Sequence, residues 1–479
     1  MNIKTIKIIS LTAAVMFFVS GCSLGPDYER PETQLPQEWL GSDTSESANP
    51  EVLREWWKSY DDPMLGSLLE RADADNLDLQ AAMARIEQSR AFRAYASGEK
   101  LPSVDAFGNY TRSRSSQNIM GAAPGENSFY SAGFDAFWEL DLFGRIRRSI
   151  ESAQAELERS VEDYRNTRVS LFAEIARNYI ELQTSQARIE YARTNIEIQR
   201  KTLDLTQNRY EADLVPKLDV SQARLNLANS QSEIPSLRIA ETEAVNRLSV
   251  LTGTTPDQLR SELIKPRPLM QIEVEPLAGI PAELLRRRPD IRSAERALAA
   301  QTARIGQAEA LRYPSFSLSG SFGLAAMHYS DLTSWDSRNI EFGPSVRWTI
   351  FDSNRLKSLV AVEEALTKQL AANYESAVLR AVEEVENALV GFAQETRRTK
   401  ALERSVQAAQ ESLKNVETLY ENGLTDFQNV LDVQRSLSLQ QDRLAVSRGL
   451  ILQRSVAIYK ALGGGWDSDG EQPQTNSNK

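Results

Sequence analysis

Cysteine and histidine occur once each in 479 residues, as Cys22 and His328. One cysteine excludes an intramolecular disulfide, and one of each excludes a Cys/His metal cluster. No Walker-type glycine loop and no Gly-x-Ser-x-Gly occurs. His328 lies between two expected strands in "AAMHYSDLTSW" and reads as a loop residue, not a general base. The carboxylates are many but scattered at the spacing of solvated helix faces. Nothing nominates an enzyme, a cofactor or a metal. The formal charge is −11, and near −13 once residues 1–21 with their two lysines are set aside. That balance disfavours nucleic acid and offers no polybasic surface. After residue 21 no apolar run reaches the roughly 18 residues that a spanning helix needs. If this chain crosses a membrane, it does so as strands.

What is present begins at the N-terminus. Lys4 and Lys7 precede a stretch of about a dozen apolar residues, Ile8 to Val19, which suits a secretory signal and is too short to span. Val19-Ser20-Gly21-Cys22 resembles a bacterial lipobox, with residues 1–21 as signal peptide and Cys22 as the acylated residue. Several acyl chains on one residue anchor stably where one does not. Ser23 after the anchor favours sorting to the outer membrane over retention at the inner one. Residues 22–62 read as a lipidated extended segment.

The chain then repeats itself. "LPSVDAFGNY" at 101 matches "YPSFSLSGSF" at 313, and "FWELDLFGR" matches "RWTIFDSNR". "RYEADLVPKLDVSQAR" from 209 matches "LYENGLTDFQNVLDVQR" from 419, and "LSVLTG" at 248 matches "YKALGG" at 459. All four offsets fall near 210, so residues 63–255 and 281–465 are two copies of one unit. The proline-rich stretch within 256–280 reads as a linker, and 466–479 as a disordered tail.

Each copy mixes long helices with a strand pair. Arg355 to Asn422 has no proline, and its only glycine before the end is Gly391. A helix that long exceeds a compact domain. Val378, Val382, Val385, Leu389 and Phe392 set a coiled-coil-like seam along it. The strands are expected at about 103–114, 129–142, 314–324 and 340–350. The last three alternate one apolar face with one small or polar face, as barrel strands in lipid do. Trp138 and Trp348 sit near strand ends, where an aromatic belt belongs. Taken alone, the strands leave two soluble hairpins equally open. Four strands cannot close a membrane barrel, and an open edge in lipid is prohibitively costly. Membrane strands therefore require an oligomer.

Residues 55–91, 284–323, 351–365 and 419–437, with "RRRPDIRSAE" the most specific stretch, resemble the TolC-like outer-membrane factors, most of all their NodT-type lipoprotein branch. The resemblance runs from Cys22 to about Gly465. It implies a homotrimer with a shared twelve-stranded barrel, four strands per protomer, a periplasmic α-helical barrel and an equatorial domain. It implies the exit duct of a tripartite efflux system, passing small solutes such as drugs. The implied partners are a periplasmic adaptor, an inner-membrane pump of the resistance-nodulation-division type, and outer-membrane lipid.

The resemblance also implies a gate. Gly423 interrupts a helix nearly 70 residues long, as a tight turn requires, and helix resumes by about Phe427. By position, Asp432 matches a carboxylate that rings the constriction and Arg435 its basic partner. Tyr420 matches a member of the network that ties neighbouring hairpins shut. Asn429 stands where some relatives carry a second acid, so this ring holds less charge. Asp219 occupies the first-copy hairpin. Three carboxylates near an axis repel unless bridged or protonated. The rival readings are a coiled-coil structural lipoprotein, which leaves the duplicated strands unexplained, a polypeptide secretion channel, and a lipoprotein enzyme with no visible active site.

Overall fold

The computed structural model describes residues 23–31, 53–114, 116, 126–265, 267–270 and 282–466. Cys22, the signal peptide, residues 266 and 271–280 of the linker and the tail from 467 lie outside the described residues. Helices α1 (Pro63–Asp75) and α2 (Leu77–Gly98) lead to strands β1 (Ser103–Arg114) and β2 (Glu126–Leu140). Then come α3 (Arg145–Glu211), α4 (Lys217–Leu251) and the short α5 (Pro256–Leu263). The second copy gives α6 (Pro289–Ala310), β3 (Ser315–Ala326), β4 (Arg338–Arg347), α7 (Arg355–Glu421) and α8 (Phe427–Ala461). Helices α3 and α7 are 67 residues each, and α4 and α8 are 35 each. Their bounds differ by 210 throughout, so the duplication is structural as well as sequential.

Several boundaries differ from the sequence reading. Strand β2 ends at Leu140, not 142, because the Asp141 carboxylate accepts from the Ile146 and Arg147 amides and starts helix α3. Strand β4 spans 338–347, not 340–350. Its partner β3 begins at Ser315, opposite Arg347, because Pro314 has no amide to donate. Trp348 therefore lies just past its strand. Strand β3 runs on to Ala326, because β2 starts early enough to pair Tyr130 with it. The linker holds α5, whose Leu259 and Leu263 lie one turn apart and are buried. Trp466, assigned to the tail, is buried beneath the Arg165 and Arg292 guanidiniums. The seam of α7 differs too. Ala381 and Ala388 are buried with Val378, Val385 and Leu389, while Val382 and Phe392 are half-buried. Alanine carries little signal in a periodicity search, yet its small side chain lets a neighbouring helix approach.

The chain divides into two compact units: residues 1–32, 85–160 and 293–374, and residues 33–84, 161–292 and 375–479. In the second unit the "RRRPDIR" stretch is a staple. The buried Arg288 guanidinium donates to Ala461 O at 2.9 Å, Asp290 at 2.7 Å and Glu384 at 2.8 Å. Trp56 stacks on Tyr459 at 5.4 Å, and the Tyr60 and Ser455 hydroxyls share a buried hydrogen bond. Asp62 caps α1, accepting from the Met64 and Leu65 amides ahead of the favourable Pro63.

In the first unit the four strands form one antiparallel sheet in the order β1-β2-β3-β4. Residues 23–31 lie on helix α6 and the start of α3. Arg148 Nε donates to Leu24 O at 3.0 Å and Nη2 to Gly25 O at 3.3 Å. A side chain at Gly306 would sit 2.6 Å from Leu24 O, so glycine permits this contact.

Candidate functional site: the strand sheet and the helical hairpins

The register sorts the sheet into two faces. One row runs Ala106, Phe134, Phe322, Ile340 and the next Val104, Ala136, Gly320, Phe342. Phe134, Phe342 and Ile340 are exposed in the protomer. The opposite face carries the row Asp105, Asp135, Ser321, Glu341. Strand β1 alternates poorly because Phe107 lies on this polar face. Its ring packs over Gly133 and Gly323, where a Cβ would approach it to 3.0 and 3.5 Å. Trp138 Nε1 donates to Lys100 O and Trp348 Nε1 to Arg312 O, each at 3.0 Å. Both tryptophans are thus held where the chain enters a hairpin. The outer edges of β1 and β4 have no partner strand among the described residues. An apolar face and two open edges fit lipid only if other copies close the sheet.

The hairpins join α3 to α4 and α7 to α8. Both turns use one hydrogen-bond pattern. Asp213 N donates to Tyr210 O at 2.9 Å and Leu214 N to Arg209 O at 2.9 Å. Gly423 N donates to Tyr420 O at 2.9 Å and Leu424 N to Leu419 O at 2.8 Å. The residue in the left-handed region is Gly423 in one (φ 72°) and Asp213 in the other (φ 57°). Gly423 suits its turn, and aspartate serves the same conformation 210 residues earlier.

Asp432, Arg435 and Asn429 lie on the exposed surface of α8. Asp432 accepts from Gln428 Nε2 at 3.0 Å, and Asn429 Nδ2 donates to Thr425 Oγ1 at 2.9 Å. Arg435 Nε donates to Asn226 Oδ1 at 3.3 Å, so within the protomer it turns to α4 and is not paired with Asp432. The Tyr420 ring is buried and meets Phe427 at 5.4 Å. Burial raises the Tyr420 pKa, the Thr206 hydroxyl and Arg209 oppose that shift, and Asp219 adds to it. The Asp219 carboxyl is raised by burial and then by Asp426 across the tips. Sequence reading missed Arg209 and Asp426. Arg209 is visible only as a departure between copies, since Leu419 is its counterpart.

Comparison with known proteins fits this geometry. The outer membrane efflux protein family matches residues 68–254 and 280–464. The chain belongs to that family. It is 32% identical over 455 residues to Nodulation protein T of Rhizobium leguminosarum bv. trifolii, covering 94% of this chain and 96% of that protein. It is 32% identical over 465 residues to the probable efflux pump outer membrane protein TtgC of Pseudomonas putida, covering 95% of each. Among solved structures, the outer-membrane channel OprN superposes with a TM-score of 0.88 at 35% identity, covering 93% of this chain and 100% of that one. CusC superposes at 0.82 with 25% identity. The family architecture is a trimeric outer-membrane channel with a helical barrel in the periplasm. Three copies of the four-stranded sheet close the barrel of that architecture, and in such barrels an apolar face suits lipid and a polar one the lumen. The family is one of channels, not of enzymes.

Proposed function

We propose that this protomer, in its trimer, is the exit duct for small solutes of a tripartite efflux system. The pump is of the resistance-nodulation-division type, reached through a periplasmic adaptor. Solvent and antibiotic efflux by similar proteins supports that substrate class. The observation that carries the reading is the sheet: one apolar face, one polar face and two open edges. Acyl chains on Cys22 tie the protomer to outer-membrane lipid. Residues 23–31, fastened beside the start of α3, support an anchor close to the strands. Mass spectrometry of the purified N-terminus tests it, since an unmodified Cys22 in the mature protein would remove the anchor.

The two hairpins close the periplasmic end. Asp432 with its symmetry copies rings the axis, and Arg435 and Tyr420 supply contacts that offset the repulsion of the carboxylates. Asn429 keeps the ring short of a second acid, and Asp219 contributes from the first-copy hairpin. Gly423 forms the turn. Adaptor docking moves the second-copy hairpin away from its neighbours. The double variant Asp432→Ala with Arg435→Ala is expected to raise conductance in planar bilayers. A conductance that stays near the closed level would sink the gate assignment.

A further inference from the structure

We infer that Arg209 is the positioning residue that latches the second-copy hairpin to the first, and so sets how readily the gate opens. This rests on the gate reading above. Arg209 lies in the last turn of α3, but its guanidinium serves α7. Nη1 donates to Tyr420 O at 2.5 Å and to Glu421 O at 3.3 Å. These are among the last carbonyls of α7, and Tyr420 O accepts from Gly423 N of the turn as well. The cation also sits at the negative end of the α7 dipole, where it is stabilising. Its Cζ lies 4.8 Å from the centre of the Tyr420 ring, a cation–π contact. Nη2 is the nearest atom, at 3.6 Å, to where a Gly423 side chain would begin. One side chain therefore touches the end of α7, the gate tyrosine and the turn glycine.

The duplication shows that this contact runs one way. In the position of Arg209 the second copy has Leu419, which returns no charged cap to α3. Both turns close with the same backbone bonds, and the second alone gains a charged donor from the other hairpin. Moving the second hairpin alone must break both carbonyl bonds and the stacking. It must also leave Arg209 Nε, buried and without an acceptor among the described residues, in an altered setting. A charge-assisted bond is worth more than a neutral one, so the latch weighs on opening.

The test uses the full trimer with Arg209→Ala, Arg209→Leu and Arg209→Lys. Lysine keeps charge but loses the fork and the planar stacking. Hydrogen exchange of the Gly423 and Leu424 amides reports the turn directly. It is expected to rise roughly tenfold in the alanine and leucine variants and less in lysine. Planar-bilayer conductance is expected to rise in the same order, with trimer mobility on gels unchanged. Wild-type exchange in Arg209→Ala overturns the latch. Faster exchange with unchanged conductance, while Asp432→Ala/Arg435→Ala does raise it, makes Arg209 a helix cap only and overturns its part in gating. If the double variant is silent as well, the gate lies elsewhere and both assignments fall.

Discussion

Replacing Gly306 by alanine tests the packing of the segment that follows Cys22. Helix α6 needs no glycine for its own sake, and alanine there is worth about 1 kcal/mol in helix propensity. The added Cβ, however, would lie 2.6 Å from Leu24 O and 2.8 Å from Arg148 Cγ and Nε. Backbone cannot yield at that distance, so residues 23–31 must leave the helix. Arg148, whose side chain is 3% exposed, then loses its acceptors Leu24 O and Gly25 O. Each charge-assisted bond contributes about 1.5 kcal/mol at the low end. The Asp27 partner is 89% exposed and adds little. Against the propensity gain, the net loss is about 2 kcal/mol. Gly66 in α1, with nothing within 4 Å of its Cβ position, is the control. Gly66→Ala is expected to stabilise by about 0.5–1 kcal/mol. Thermal unfolding of the purified trimer measures both. A Glu-specific protease reads release of the segment by cutting after Glu29. If Gly306→Ala unfolds like wild type and resists cleavage equally, the close-approach argument is wrong.

Arg288→Ala removes a buried cation shared by Asp290, Glu384 and Ala461 O, and is expected to cost about 3 kcal/mol in thermal or denaturant unfolding. Gly133→Ala places a Cβ 2.5 Å from Phe322 O between β2 and β3, and is expected to abolish heat-modifiable gel mobility, while Gly108→Ala, with open space, leaves it intact. The raised carboxyl of Asp219 means the folded tip holds its proton more tightly than the unfolded chain does. Lowering pH through the range just above the ordinary carboxylate value is therefore expected to steady the tip, and raising it to withdraw that gain. Amide exchange at the first-copy turn follows this, and Asp219→Asn is expected to flatten the pH dependence.

Patterns with a strong period were legible in the sequence. Strand β1 is the weakest of the four in the sequence, since 103–114 alternates poorly, yet it spans Ser103–Arg114. The reason for its irregularity, Phe107 over two glycines, depends on the register of three strands and is invisible in one. The hairpin turn was legible through Gly423, a residue chosen for its backbone. Asp213 does the same work but reads as an ordinary surface acid. Arg435 illustrates the limit for charges. Its position matched a motif, yet its protomer partner, Asn226, lies 209 residues away in sequence. Arg209 resembled any helix-surface arginine, since what marks it is a carbonyl 211 residues further on. Terminal capping across helices has no sequence period to reveal it.

The central claim is a gated duct built by three copies of this chain. The most direct measurement is the single-channel conductance of the purified mature protein in planar bilayers, with its trimer state checked alongside. Discrete steps from a trimer, enlarged by Asp432→Ala with Arg435→Ala, are the predicted result. An intact trimer that never inserts and gives no steps would contradict it.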